Sequence, residues 1–211
     1  MQQHYNSDYF RWQEKLGQIG GLANLFKFSH SISPNDNVLE FGCGGGYLLN
    51  NIQAANKTGY DINPSALEEA KKKISITNDL HGLNDNSYDV IISNHALEHC
   101  HSPYHELKVL YSKLKPEGKI IFVVPHEKAG QTWKPNDINN HLYTWNEMTL
   151  GNLFVEAGFK IIEVKTIRHQ WPPKAILLWK LLGPTLFNYA SIYKSLYSRA
   201  LSDQNSRHKN N

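Results

Sequence analysis

A doubly wound α/β fold, with a mostly parallel sheet and helices on both faces, is predicted by three features of this 211-residue chain. Strand-like and helix-like segments alternate from residue 36 onward, the order that builds a parallel sheet. The apolar run Val38-Leu39-Glu40-Phe41 empties into the turn Gly42-Cys43-Gly44-Gly45-Gly46, and a second short strand ends on Asp61. In such sheets ligands bind outside the carboxyl ends of the strands, so the turn and the acid fall where a ligand is expected.

The elements follow in order. Asn37 to Phe41 reads as the first strand, and a helix from about Tyr47 to Ala54 should follow the glycine turn. The second strand, from Lys57, ends at Asp61, after which Asn63-Pro64-Ser65 breaks the strand and caps a helix from Ala66 to Lys73. Its acids come early and its lysines late, as the helix dipole prefers. Ile74 to Thr77 is a short third strand and Tyr88 to Ser93 a β-rich fourth. A helix from His105 to Leu114 should stop at Lys115-Pro116-Glu117-Gly118 and pass into a fifth strand, Lys119 to Val124, ended by Pro125. A last core helix, Trp145 to Ala157, closes on Gly158 before a sixth strand, Phe159 to Val164.

The glycine turn narrows the ligand. Its spacing is Glu-x-Gly-x-Gly-x-Gly, with Gly42, Gly44 and Gly46 letting the backbone approach a bound molecule closely. A dinucleotide site would read G-x-G-x-x-G, but here the third glycine comes one residue early and Tyr47 stands in its place. Glu40 is awkward for a diphosphate and suited to a cationic ligand. The stretch resembles motif I of the class I S-adenosylmethionine-dependent methyltransferases, whose cofactor carries a sulfonium and an ammonium and no phosphate. The resemblance covers roughly residues 36 to 165 and implies a Rossmann-like core.

That resemblance implies roles residue by residue. Glu40, Gly42, Cys43, Gly44 and Gly46 would hold the amino-acid half of S-adenosylmethionine. Asp61, followed by Ile62, would take the ribose, and Asp79 and Leu80 the adenine. Asn94 and His95, in Ser93-Asn94-His95-Ala96-Leu97-Glu98-His99, fall beside the methionine half, with Leu97 packing against it. The Asn/Asp-Pro-Pro-aromatic motif of enzymes that methylate adenine amines is absent, which argues against a DNA substrate.

Histidines gather near this segment: His95, His99, His101, His105, His126 and His141. A neutral imidazole can accept a hydroxyl proton as a methyl transfers, and His126 and His141 are the candidate bases because the segment after strand five usually builds the acceptor side. His95-x-x-Glu98-His99 with His126 or His141 could also ligate a metal, as in the small-RNA 2′-O-methyltransferases. Glu-His after strand four is equally frequent in metal-free relatives, and no metal is expected. Asn139 to Trp145 mixes aromatic and polar groups suited to an acceptor pocket, with Thr144 as the expected helix cap.

Composition sets outer bounds. A formal charge of +3 and 40% hydrophobic content fit one compact domain and imply no nucleic-acid partner. Cys43 and Cys100 show no metal-ligand spacing, and neither a secretory signal nor a run of about 18 apolar residues is seen, so a cytoplasmic location is expected. Residues 1–35 are read as a helical lid segment, 36–167 as the core, 168–201 as a helical extension reaching about Leu201, and 202–211 as a disordered tail. The extension is basic and aromatic. It should cover the acceptor pocket, with contact between 171–201 and a membrane surface as the alternative. No candidate for the family's seventh, antiparallel strand stands out, which leaves the sheet edge and the oligomeric state open.

The function expected is methyl transfer from S-adenosylmethionine to an oxygen of a small-molecule acceptor, with glycan- or lipid-related compounds among the acceptor classes considered. The alternatives are a cofactor-binding protein without turnover and a metal-dependent RNA 2′-O-methyltransferase, RNA being the less expected partner.

Overall fold

The computed structural model describes residues 17–63, 74–126, 130, 132–135, 137, 139–168, 174–190 and 196–203. The expected helix from Ala66 to Lys73, residues 1–16 of the expected lid segment, residues 169–173 and 191–195 of the expected extension and the tail from Gln204 lie outside the described residues. Seven strands form one sheet in the order β3-β2-β1-β4-β5-β7-β6. They are β1 (Asn37–Phe41), β2 (Asn56–Tyr60), β3 (Ser75–Thr77), β4 (Tyr88–Asn94), β5 (Leu114–Pro125), β6 (Lys160–Arg168) and β7 (Leu196–Asp203). The pairs from β3 through β5 are parallel, and β7 lies antiparallel between β5 and β6. The strand order reverses between β1 and β4, the crevice where ligands of doubly wound sheets bind.

Alternation along the central strands explains why both faces must be covered. Leu39, Ile91, Ile120 and Phe122 enter one buried cluster with Leu107, Leu110 and Phe154, whereas Val38, Val90, Ile92, Ile121 and Val123 enter a second with Phe28, Leu48 and Leu49. Successive side chains of a strand point to opposite faces, so these nearly continuous apolar runs need helices on both sides. The helices are α1 (17–23), α2 (Tyr47–Asn51), α3 (Pro103–Lys113), α4 (Glu147–Glu156) and α5 (Ala175–Ala190). Asp89 locks the far end of β4 by accepting from the Asn37 N–H at 2.8 Å and from Lys115 Nζ at 2.7 Å.

Local chemistry moves several boundaries. Helix α2 stops at Asn51 rather than Ala54, because the Asn51 side-chain amide donates to the Tyr47 carbonyl at 2.7 Å in competition with the helix, and Ile52 is extended. Helix α3 begins two residues early, with Pro103 in the first turn, where a missing N–H does no harm. Helix α4 is capped by Asn146 and not Thr144. The Asn146 side chain accepts from the Thr149 N–H at 2.9 Å, and the Thr149 hydroxyl accepts from the Asn146 N–H at 3.1 Å.

The main correction concerns the C-terminal region. Instead of a helix to Leu201 and a disordered tail from Ser202, residues 196–203 form β7, paired from Lys119↔Asp203 to Pro125↔Tyr197 on one side and from Lys160↔Asp203 to Arg168↔Leu196 on the other. The segment has no β-branched residue, so its propensity reads as helical. Between β5 and β6, however, its backbone groups find partners on both sides, and pairing overrides propensity.

Terminal helices meet on the outside of the core. Ile19 and Ala23 of α1 pack on Phe187 of α5, with Ala175, Leu178 and Trp179 around them. Gly183 is non-helical (φ 68, ψ 174) and kinks α5 directly before Pro184. Among the described residues no helix is long and apolar enough to cross a membrane.

Candidate functional site

At the carboxyl end of β1 the chain turns through Gly42, Gly44 and Gly46, all at positive φ (72°, 49° and 70°). The Gly42 and Cys43 N–H groups donate to the Tyr60 carbonyl at 2.8 and 3.0 Å, pinning the turn to the end of β2. A Cβ on Gly42 would collide with the Ala96 side chain after β4, whereas one on Gly44 would meet nothing within 4 Å. One glycine therefore permits close packing and the other leaves an open crest where a ligand can approach.

Two carboxylates flank this crest. Glu40, 3% exposed, accepts from the Leu49 N–H at 3.1 Å, so it braces the first turn of α2 from beneath the glycine loop. Burial, with a further contribution from Asp61, pushes its pKa up to about 8. Asp61 accepts from the Gly44 N–H at 2.8 Å and from the Asn63 N–H at 2.9 Å, and burial raises its pKa as well. Buried carboxylates held partly against ionisation regain their charge when a cation binds, which is the electrostatic demand of a sulfonium and ammonium ligand. Cys43 is buried and its thiol is held far above its ordinary pKa by burial, so it serves as packing and not as a nucleophile.

Residues beyond β2 and β3 separate by exposure. Ile62 is 65% exposed directly after Asp61 and offers an apolar surface beside the crest. Asp79 is exposed and accepts from the Gly82 N–H at 2.9 Å, while the Leu80 side chain belongs to the core. Of the expected adenine pair, Asp79 can offer its side chain and Leu80 only its backbone.

After β4 the geometry tightens. The Asn94 side chain accepts from Lys27 Nζ at 3.2 Å, and Lys27 is itself buried, with its pKa lowered to about 7 by desolvation. Lys27 escaped sequence reasoning; its only signal is a single charge inside Leu25-Phe26-Lys27-Phe28. His95 occupies left-handed backbone space at φ 59, with its N–H donating to the Val123 carbonyl at 2.9 Å. Such a conformation is uncommon outside glycine and is held where the surroundings over-determine it. His95 Nδ1 lies 3.3 Å from Oε1 of the fully buried Glu98, and His99 Nε2 lies 3.9 Å from the same atom. Burial holds both imidazoles below their ordinary pKa, toward the neutral form.

The two candidate bases go to different places. His141 comes to the turn after β4: its ring meets that of His99 edge to face at 5.0 Å, and Glu98, His99 and His141 each offer one ligand atom within 4.8 Å of the others. His126, after β5, has Nε2 at 4.0 Å from Glu147 at the start of α4. The segment preceding α4 is clipped to the β4 turn, because the Leu142 N–H donates to the Glu98 carbonyl at 2.9 Å and the Tyr143 hydroxyl donates to the His101 carbonyl at 3.0 Å. Tyr143 also stacks on Trp145, with ring centroids 5.8 Å apart.

A family model described as a methyltransferase domain matches residues 10–164. The chain is 38% identical over 163 residues to an uncharacterized methyltransferase of Bacillus mycoides, covering 66% of this chain and 76% of that one. It is 35% identical over 96 residues to the malonyl-[acyl-carrier protein] O-methyltransferase of Priestia megaterium, covering 40% of this chain and only 35%, about a third, of that protein's length. Among solved structures, an S-adenosylmethionine-dependent methyltransferase from Archaeoglobus fulgidus superimposes with a TM-score of 0.65 at 19% identity, covering 92% of this chain and 99% of that one, a likeness of fold.

Proposed function

The chain belongs to the S-adenosylmethionine-dependent methyltransferases of class I fold, and we propose that it transfers a methyl group to an oxygen of a small-molecule acceptor. The observation that carries the cofactor assignment is the open glycine crest flanked by Glu40 and Asp61, two carboxylates that burial biases toward protonation until a cation arrives. Bound there, S-adenosylmethionine supplies an electrophilic methyl on a sulfonium. Glu40 and the turn at Gly42, Cys43, Gly44 and Gly46 would hold the amino-acid half, Asp61 and Ile62 the ribose side, and Asp79 with the Leu80 backbone the adenine.

Asn94 and His95 would line the methionine half, with Lys27 orienting the Asn94 amide. Because the reaction is a displacement, the protein's task is mainly positioning, with a base needed only where the acceptor must lose a proton. His141 is the better candidate for that role, since it joins the turn after β4, while His126 faces Glu147. Oxygen as the acceptor atom is supported by the name of the Priestia megaterium relative, an O-methyltransferase.

Helices α1 and α5 would act together as a lid over the cofactor side. Support comes from the contact of α1 with the start of α2, where a Cβ on Gly21 would collide with the Tyr47 carbonyl, and from the packing of α5 on α1 through Phe187. Leu177, Leu181 and Leu186 remain exposed on α5 near Lys174 and Lys180, a surface that would also suit peripheral membrane contact. We place the reaction in the cytoplasm, in keeping with the free thiols of Cys43 and Cys100.

Calorimetric titration with S-adenosylhomocysteine, followed by detection of its release from S-adenosylmethionine across an acceptor panel, tests this reading. Saturable binding with turnover on a hydroxylated small molecule is the expected result. Binding without turnover on any acceptor would leave a cofactor-binding protein, and no binding would overturn the cofactor assignment.

A further inference from the structure

The two sides of helix α5 have opposite fates. Its inner side is committed to the protein: Phe187 is fully buried against Ile19 and Ala23 of α1, with Ala175, Leu178 and Trp179 around them. Its outer side carries Leu177 at 54% exposure and Leu181 at 72%, one helical turn apart, and Leu186 at 58% beyond the kink. Single apolar side chains on a surface are ordinary, whereas leucines a turn apart on one helix form a strip that water solvates poorly.

Positive charge accompanies the strip. Lys174, at the start of α5, and Lys180 line an open groove of about 430 Å³ together with Ala175, Ile176 and Leu177. Between Glu163 and Asp203 the sequence holds no acidic residue, against Lys165, Arg168, Lys174, Lys180, Lys194 and Arg199. An occupant of this face must therefore accept apolar side chains and bring negative charge of its own.

A second copy of the chain does not meet that demand. In a two-fold dimer the patch would face itself, bringing its own lysines together with no acid on the helix to offset them. Nor does α5 span a bilayer, because Gly183 breaks it and no helix among the described residues is long and apolar enough to cross. A short, kinked, leucine-rich helix bearing lysines and no acids suits the boundary of a membrane, where its apolar side chains reach the acyl region and its ammonium groups the phosphates.

We propose that the outer face of α5 docks this protein on an anionic lipid bilayer, with Leu177 and Leu181 at the acyl boundary and Lys174 and Lys180 on headgroup phosphates. This deepens the lid reading and rests on it for the position of α5 beside the cofactor. Through Phe187 the helix packs on α1, and α1 abuts the Tyr47 carbonyl at the end of the glycine turn. The docked face is thus one helix removed from the crevice.

The test is co-sedimentation of the tag-free full chain with vesicles of phosphatidylcholine alone and of phosphatidylcholine with phosphatidylglycerol, at low and at high salt. Binding of S-adenosylhomocysteine is measured on the same samples. Binding to the anionic vesicles should exceed binding to the neutral ones by at least about tenfold and fall as salt rises. K174Q/K180Q should weaken it by roughly 10- to 30-fold, and L177S/L181S by at least about tenfold. All four side chains are exposed, so both double variants should keep the fold, checked by thermal unfolding, and the S-adenosylhomocysteine affinity. Absent or equal binding to the two vesicle types, or full retention by either double variant, would overturn the proposal. So would a concentration-dependent dimer abolished by L177S/L181S in a chain that binds no vesicle, which would assign the face to a second copy. Salt-sensitive binding to anionic vesicles by a chain that fails to bind S-adenosylhomocysteine would uphold the docking face and count against the cofactor reading instead.

Discussion

The two sides of the crevice are built differently. The cofactor side draws on residues 40 to 63, where a strand, a turn and the next strand are neighbours in sequence, and Gly44 and Asp61 touch through one short bond. The expected acceptor side brings Glu98 and His99 together with His141, from segments on either side of α3 and β5. Local segments carry a recognisable pattern because every contact depends on a fixed spacing. The acceptor side depends on contacts such as Leu142 to Glu98, whose separation in sequence carries no pattern and can vary with substrate.

The sharpest way to break the comparison is Gly42→Val. The new side chain would collide with Ala96 at a positive φ, so a loss of about 2–4 kcal/mol in stability is expected by denaturant unfolding, together with loss of S-adenosylhomocysteine binding. Retained binding would show that the turn tolerates bulk and does not cradle the cofactor. Asp61→Asn should preserve the fold, since an amide oxygen can still accept from Gly44, but weaken S-adenosylhomocysteine by about 10- to 100-fold through loss of charge and of acceptor capacity for the ribose. An unchanged Kd would remove Asp61 from the site.

Glu40 gives a pH signature confined to the cofactor side. Its pKa is raised in the folded chain to about 8, so between its ordinary value of 4.5 and 8 the native state binds the extra proton. Its contribution to the stability of the ligand-free protein therefore falls as pH rises through that window, and Glu40→Gln should remove that part of the slope in a Tm-against-pH series. Binding of an ammonium-bearing ligand near pH 7 should also release up to about one proton, visible as buffer-dependent calorimetric enthalpy and absent in Glu40→Gln.

Smaller effects are expected around the end of β4 and the turn after it. Lys27→Met replaces a buried amine by an apolar chain of similar length, so stability should change by less than about 1.5 kcal/mol, while the S-adenosylhomocysteine Kd rises because Asn94, expected beside the methionine half, loses its partner. A larger change in acceptor KM than in cofactor Kd would move Lys27 to the acceptor side. Tyr143→Phe removes the bond to His101 and should cost about 0.5–1.5 kcal/mol, read as a Tm shift, with cofactor affinity unchanged.

The sheet was legible where apolar runs were dense. Residues 37–41 coincide with β1, and β4 and β5 enclose the predicted runs, because strands buried on both faces need continuous apolar sequence. Strand β7 was not legible, since Leu196 to Asp203 owes its conformation to backbone pairing with β5 and β6 rather than to β propensity. The glycine turn and Asp61 stand at neighbouring strand ends, as the order of segments suggested, whereas the expected role of Asn94 and His95 came from the resemblance to the methyltransferases. The buried lysine at position 27 could not, because a single lysine between apolar residues looks the same whether its amine reaches water or Asn94.

What the sequence by itself determined is the alternation of strands and helices, the placement of a glycine turn and an acid at neighbouring strand ends, and hence the class of ligand. These follow from periodicity and from the restricted backbone conformations of non-glycine residues, both local properties. Only the tertiary structure decided which histidine stands beside Glu98, that Glu40 braces α2 from below, and that the C-terminal segment completes the sheet. Burial, pKa and the meeting of side chains depend on distances between segments far apart in the chain, and those distances exist only once the sheet has closed around them.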